Sequence, residues 1–113
     1  MNYIIIPGLK TRTGIKLVHS RDKTCELVKQ AICDHFGMTF EKISRKTRKR
    51  ELVYPRQVFM YLLRQNTTLS LKQIGEMFDY DHTTAIHSIQ KVKDLMATEE
   101  DVRAEIRYIQ ASI

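Results

Sequence analysis

No apolar run in this 113-residue chain approaches the roughly 18 residues that a membrane span needs. Met1 to Ile6 is too short for a signal-peptide core and has neither a basic start nor a small-residue cleavage site before Pro7. A cytoplasmic protein that does not enter the membrane is expected. Cysteine occurs only at Cys25 and Cys33. If both lie on one helix, a rise of ~1.5 Å per residue separates them by ~12 Å, beyond the ~7 Å limit of a disulfide. No Cys-x-x-Cys or paired Cys/His spacing points to zinc. A Gly-x-x-x-x-Gly-Lys-Ser/Thr phosphate loop is missing, as is any Ser or Cys in a nucleophile setting. No cofactor, metal, bound nucleotide or catalytic residue is therefore expected, and the chain is not read as an enzyme. Acids are the minority charge, 13 against 19 Lys plus Arg, for a formal +6. That excess favours an anionic partner without naming one.

What the chain does have is concentrated after Pro55. Asp81 precedes an apolar periodicity at Ile86, Ile89, Val92 or Lys93, and Met96. It is placed to cap a helix whose buried stripe those residues form. Thr83, Thr84, His87, Gln90 and Lys91 fall largely on the other side. Hydroxyl, imidazole, amide and ammonium groups suit base edges and phosphates in a DNA groove; the same face taken alone also reads as an ordinary solvated one. Upstream, Ser70-Leu71-Lys72-Gln73 has the capping-box form. It predicts a short helix from Leu71 to Phe78 with Leu71, Ile74 and Phe78 on one face. Gly75 lacks a side chain where another helix can approach, which offsets a helix penalty of about 1 kcal/mol. Only Asp79-Tyr80 separates this helix from the Asp81 cap, the plan of a helix-turn-helix.

Pro55-Arg56-Gln57, Met60-Tyr61-Leu62, Ser70-Leu71, Ile74-Gly75, Phe78, and Asp81-His82-Thr83-Thr84 with His87 together resemble the C-terminal DNA-binding domain of the bacterial replication initiator DnaA. The resemblance runs from Thr24 to Lys93. This chain departs from the family in two places: Tyr80 stands where the family has Arg, and the family's Phe-Gly-Gly turn is a residue shorter here, as Phe78-Asp79. Both bear on the target sequence more than on the fold. The resemblance implies an all-α helix-turn-helix bundle that binds double-stranded DNA. It implies that Asp81, His82, Thr83 and Thr84 read bases in the major groove, with the Asp81 carboxylate accepting from a cytosine amino group and the Thr methyls meeting thymine methyls. Arg48 takes the position of the family's minor-groove arginine, Arg56, Arg64 and Lys72 grip phosphates, and His87 supports the helix against the backbone. Asp81 as a pure N-cap and His82 as a surface residue are the alternatives. The family's nucleotide-binding motor has no counterpart here, so nucleotide-driven initiation by this chain alone is not expected.

The rest of the chain is read from its own pattern. Residues 1–20 combine the β-prone Tyr3-Ile4-Ile5-Ile6, a Pro7-Gly8 turn and a second extended piece at Ile15-Lys16-Leu17-Val18. An extended arm or hairpin, an edge through which a homodimer pairs, and a partly ordered tail all fit. Residues 21–113 are expected to form the helix-turn-helix domain, a bundle of about five to six helices. Its first helix carries an apolar stripe of Leu27, Val28, Ala31, Ile32, His35 and Phe36 and stops at Gly37. Lys42, Arg45, Lys46, Arg48, Lys49 and Arg50 crowd six bases into nine residues. A basic loop on a phosphate backbone or in a minor groove is expected, with a solvated run as the alternative. Lys91 joins the same set. Pro55 is placed in the first turn of a helix over 56–65 that buries Val58, Phe59 and Leu62 and turns Arg56 and Arg64 outward. Thr98-Glu99-Glu100-Asp101 predicts a last helix whose Val102, Ile106, Ile109 and Ile113 return to the core. Asp79, Asp81, His82 and His87 do not suggest a metal site, because His82 and His87 are five apart. A protein- or RNA-interaction module using the arm and the basic run is the competing function.

Overall fold

The computed structural model describes residues 16–113, with side chains from Thr24 onward. The Tyr3–Ile6 strand, the Pro7-Gly8 turn and a dimerising arm lie outside the described residues. Among those described there are six helices and no strand. They are α1 (Lys16–Phe36), α2 (Phe40–Ile43), α3 (Arg50–Asn66), α4 (Leu71–Met77), α5 (His82–Thr98) and α6 (Glu100–Gln110). The expected all-α bundle is what forms. Lys16-Leu17-Val18 is not an extended piece but the start of α1. No Gly or Pro falls between Lys16 and Phe36 to interrupt that helix.

α3 is the axis of the bundle and packs on α1, α2, α4 and α5. It buries Leu52, Val58, Phe59, Met60, Leu62 and Leu63. Phe59 meets Phe78 from α4's C-terminus at 5.0 Å between ring centroids, and Phe40 of α2 stands 5.8 Å from Phe59 and 5.6 Å from Phe78. Each such aromatic pair contributes about 0.5–1.5 kcal/mol beyond its buried area. These three rings fasten α2 and α4 to α3, and so set where the helix-turn-helix sits. On the other side, Glu105 of α6 accepts from Tyr54 of α3 at 2.7 Å and pairs with His35 of α1 at 2.8 Å, joining three helices. Burial, more than the neighbouring carboxylate, pushes the Tyr54 phenol well above its ordinary pKa.

α3 starts earlier than its proline suggests. Pro55 lies inside the helix rather than in its first turn, and Arg50 opens it. Proline leaves the carbonyl four residues back without its partner. The added turn is held by Leu52 and Val53 donating to the Lys49 carbonyl at 2.9 Å and by Leu52 entering the core. In α1, Val28, Ala31 and Ile32 are buried, whereas Leu27 of the expected stripe is 41% exposed. Gly37 ends the helix with φ 63°, letting Met38 donate back to Cys33. In α6, Ile106 and Ile109 are buried and Val102 and Ile113 pack against the core. Its N-cap is Glu99 without a side-chain bond, not Thr98, whose hydroxyl donates to Asp94 within α5.

Candidate nucleic-acid interface

α4 and α5 form the expected pair, and each begins with a side-chain cap. The Ser70 hydroxyl accepts from the Gln73 amide at 3.1 Å while the Gln73 side chain accepts from the Ser70 amide at 2.9 Å. The Asp81 carboxylate accepts from the Thr84 amide at 2.9 Å. That backbone bond is the main reason the Asp81 carboxyl is held below the ordinary carboxylate range. An ionised cap also favours the positive end of the helix dipole.

The turn between them is tight because α4 ends in a left-handed residue and its backbone bonds close back on the last turn. α4 closes in a Schellman arrangement: Tyr80 donates to the Gly75 carbonyl at 2.8 Å and Asp79 to that of Glu76 at 3.1 Å. Asp79 takes the left-handed conformation this needs, φ 61°, in the shortened Phe78-Asp79 turn. Aspartate tolerates that region better than most side chains. A Cβ on Gly75 would stand 2.7 Å from the Asp81 carbonyl oxygen and 2.8 Å from that of Tyr80. The close approach read from the sequence is thus made by backbone, and only glycine admits it.

α5 turns Ala85, Ile89 and Val92 into the core, with Met96 partly buried beneath them. Ile86, expected in that stripe, is 41% exposed; Ala85 takes its place because the core-facing spacing runs 85, 89, 92, 96. Asp81, His82, Thr83, His87, Gln90 and Lys91 are exposed and Thr84 is half-buried. Gln90 is already engaged, donating to Asp94 one turn on at 3.0 Å.

The basic run is split between α2, a loop and the first residue of α3. Lys42, Arg45, Lys46, Arg48, Lys49 and Arg50 are all exposed. Arg48 and Arg50 line an open groove together with Gln57 and with Lys91 of α5, so loop and helix border one surface. The same groove is also lined by the acids Glu51, Glu99 and Asp101. Arg64 and Lys72 are exposed near the α3–α4 connection, where Arg64 donates to the Leu69 carbonyl at 3.0 Å.

Arg56 does not face outward as expected; it is 6% exposed. Its guanidinium donates to the carbonyls of Ile43, Arg45 and Thr47 at 3.1, 2.6 and 3.0 Å. The reason is register: Arg56 follows Leu52 by four and precedes Phe59 by three, on the buried side of α3. That apolar register was the signal available in the sequence. Lys46, expected with the rest of the basic run on DNA, also reaches from the loop to donate to the Asp79 carbonyl, a contact that sequence reasoning missed. Nothing in local spacing announces a contact between residues this far apart.

Residues 25–92 match the family model of the bacterial DnaA protein helix-turn-helix. Over 91 residues the chain is 40% identical to the chromosomal replication initiator protein DnaA of Thermomicrobium roseum, covering 80% of this chain and 20% of that protein. The protein of the same name from Zymomonas mobilis is 41% identical over 87 residues, 76% of this chain and 18% of its own length. That of Thermus thermophilus is 43% identical over 77 residues, 67% and 18%. The chain thus spans about a fifth of the length of the curated relatives it matches.

Proposed function

The chain belongs to the bacterial DnaA helix-turn-helix family, and from that premise we propose that it binds double-stranded DNA with a sequence preference. The observation that carries the reading is the exposed N-terminus of α5, presented by a close-packed α4. A helix that offers a carboxylate, an imidazole and a hydroxyl at its free end can enter a major groove and meet base edges. Asp81, His82, Thr83 and Thr84 read bases in this account. Arg48 enters the adjacent minor groove, and Lys49, Arg50, Arg64, Lys72, His87 and Lys91 hold the backbone. Arg56 is given no phosphate, since it is buried and donates to three protein carbonyls. The exposed cations Arg48, Lys49, Arg50, Arg64, Lys72 and Lys91, if all engaged, give a salt slope of about −5. No catalytic role is assigned. Occupying boxes that a full-length initiator also binds would make the chain a regulator of replication or of transcription.

The test is a titration of the chain against a DnaA-box duplex and a random duplex at two salt concentrations. Specific recognition predicts a preference for the box or a close variant of it that survives the higher salt, while random binding collapses. Equal affinity for both duplexes overturns the proposal and favours an interaction module that binds by charge.

A further inference from the structure

The basic loop and the helix-turn-helix are separate in sequence but braced together at one point. From the loop, the Lys46 ammonium donates to the Asp79 carbonyl and lies 3.5 Å from the Asp79 carboxylate. It also stands 4.6 Å from the centroid of the Tyr80 ring. From α3, the Arg56 guanidinium stands 5.4 Å from the same ring while holding the loop carbonyls of Arg45 and Thr47. A ring face attracts cations through its quadrupole. Tyr80 thus receives two cations, one from the loop and one from the side chain that shapes the loop. An arginine at this position would repel both. The Tyr80 ring is half-buried, and its own backbone amide closes α4. Asp81, which caps α5, follows directly.

We propose that Tyr80 is a positioning residue, fixing the loop that carries Arg48 at a set distance from the base-reading start of α5. The inference rests on the DNA-binding reading above. Its consequence is that both elements engage DNA as one rigid ruler. Sequence is then read at two places whose separation the protein does not adjust. One added base pair lengthens the duplex by about 3.4 Å, more than a braced loop can follow. Beside the Lys46 contacts to Asp79, the part that Tyr80 contributes is a ring facing two charges, so it requires the ring and not the phenol hydroxyl.

The experiment compares the intact chain with Tyr80→Phe and Tyr80→Leu, each confirmed folded by its melting curve. Each is titrated against the preferred duplex and against that duplex with one base pair inserted between the flanking A·T segment and the major-groove core. Amide exchange of residues 45–49 is measured in the free proteins. For the intact chain and Tyr80→Phe, the insertion is expected to weaken binding about tenfold, the size of one lost groove contact. Tyr80→Leu is expected to bind the preferred duplex about tenfold more weakly, to lose less than twofold further on insertion, and to exchange faster at residues 45–49. An unchanged insertion penalty in Tyr80→Leu overturns the proposal, as does loop exchange equal to that of the intact chain. The DNA-binding reading is judged separately, on the intact chain's box-to-random ratio. Should that ratio be one, the loop exchange alone still decides the brace.

Discussion

Replacing Arg56 by alanine separates two roles for the same side chain. A phosphate contact on the surface contributes little to folding. A buried guanidinium that donates to three carbonyls contributes a great deal, because its removal leaves acceptors without partners. Hydrogen bonds from charged groups are worth about 1.5–3 kcal/mol each. The Ile43 carbonyl is bonded by a buried contact, whereas those of Arg45 and Thr47 sit on the loop and can turn to water once released. The loss therefore falls short of the full sum, and Arg56→Ala should destabilise by about 2–4 kcal/mol. For a domain of this size that lowers the melting temperature by ~8–16 °C and the urea midpoint by ~1–2 M. Arg56→Lys should recover less than half, since a point charge cannot span the carbonyls that a planar fork reaches. Urea unfolding followed by circular dichroism gives the number. A change under about 0.5 kcal/mol, with a salt slope of DNA binding reduced by about 1, would refute the reasoning and return Arg56 to the phosphates.

Gly75→Ala gains helix propensity but drives a methyl into two backbone carbonyls, which cannot swing aside as a side chain would; a net loss of about 1–3 kcal/mol is expected by thermal melting, whereas a stabilised protein would mean the α4–α5 turn is open. The Asp81 carboxyl has its pKa lowered by the Thr84 amide, so its stabilisation is present above the ordinary value of 3.8 and is lost as pH falls through the depressed folded value. Asp81→Asn should flatten that acid limb of the stability curve while leaving the neutral melting temperature nearly unchanged, because Asn caps nearly as well. Minor-groove ligands that occupy A·T tracts should compete with the intact chain and not with Arg48→Ala, which footprinting would read directly.

The helix-turn-helix was legible because its signals are local. Ser70 with Gln73, Gly75, and Asp81 before a 3.6-residue periodicity each act within one turn of backbone, and each forms as read. Arg56 was misread because charge suggested solvent while its register suggested core, and the register won through carbonyls of residues 43–47. Ile86 was misread because Ala85 also satisfies the stripe, and a small buried residue is a weak signal. Pro55 marked a helix start that Leu52 moved a turn earlier, a tertiary effect that no propensity carries. Lys46 and Tyr80 meet across more than thirty residues of sequence, so only the fold brings their pairing into view. Asp81, His82 and Thr83 at the start of α5 and Arg45, Lys46, Arg48 and Lys49 in the loop are exposed, and Thr84 is half-buried because it follows the cap by three and precedes Ala85, the first core residue of α5.

Selection of bound duplexes from a random pool, run in parallel with the intact chain and Asp81→Asn, tests the central claim most directly. Aspartate offers only acceptors to a base edge, whereas Asn adds a donor, so a base-reading Asp81 predicts enrichment of one motif by the intact chain and a change at a single position with Asp81→Asn. Tyr80 in place of the family's arginine predicts a motif related to the DnaA box but not identical to it. No enriched motif would contradict sequence-preferring DNA binding altogether. The same motif from both proteins would leave Asp81 as a cap and remove it from the reading face.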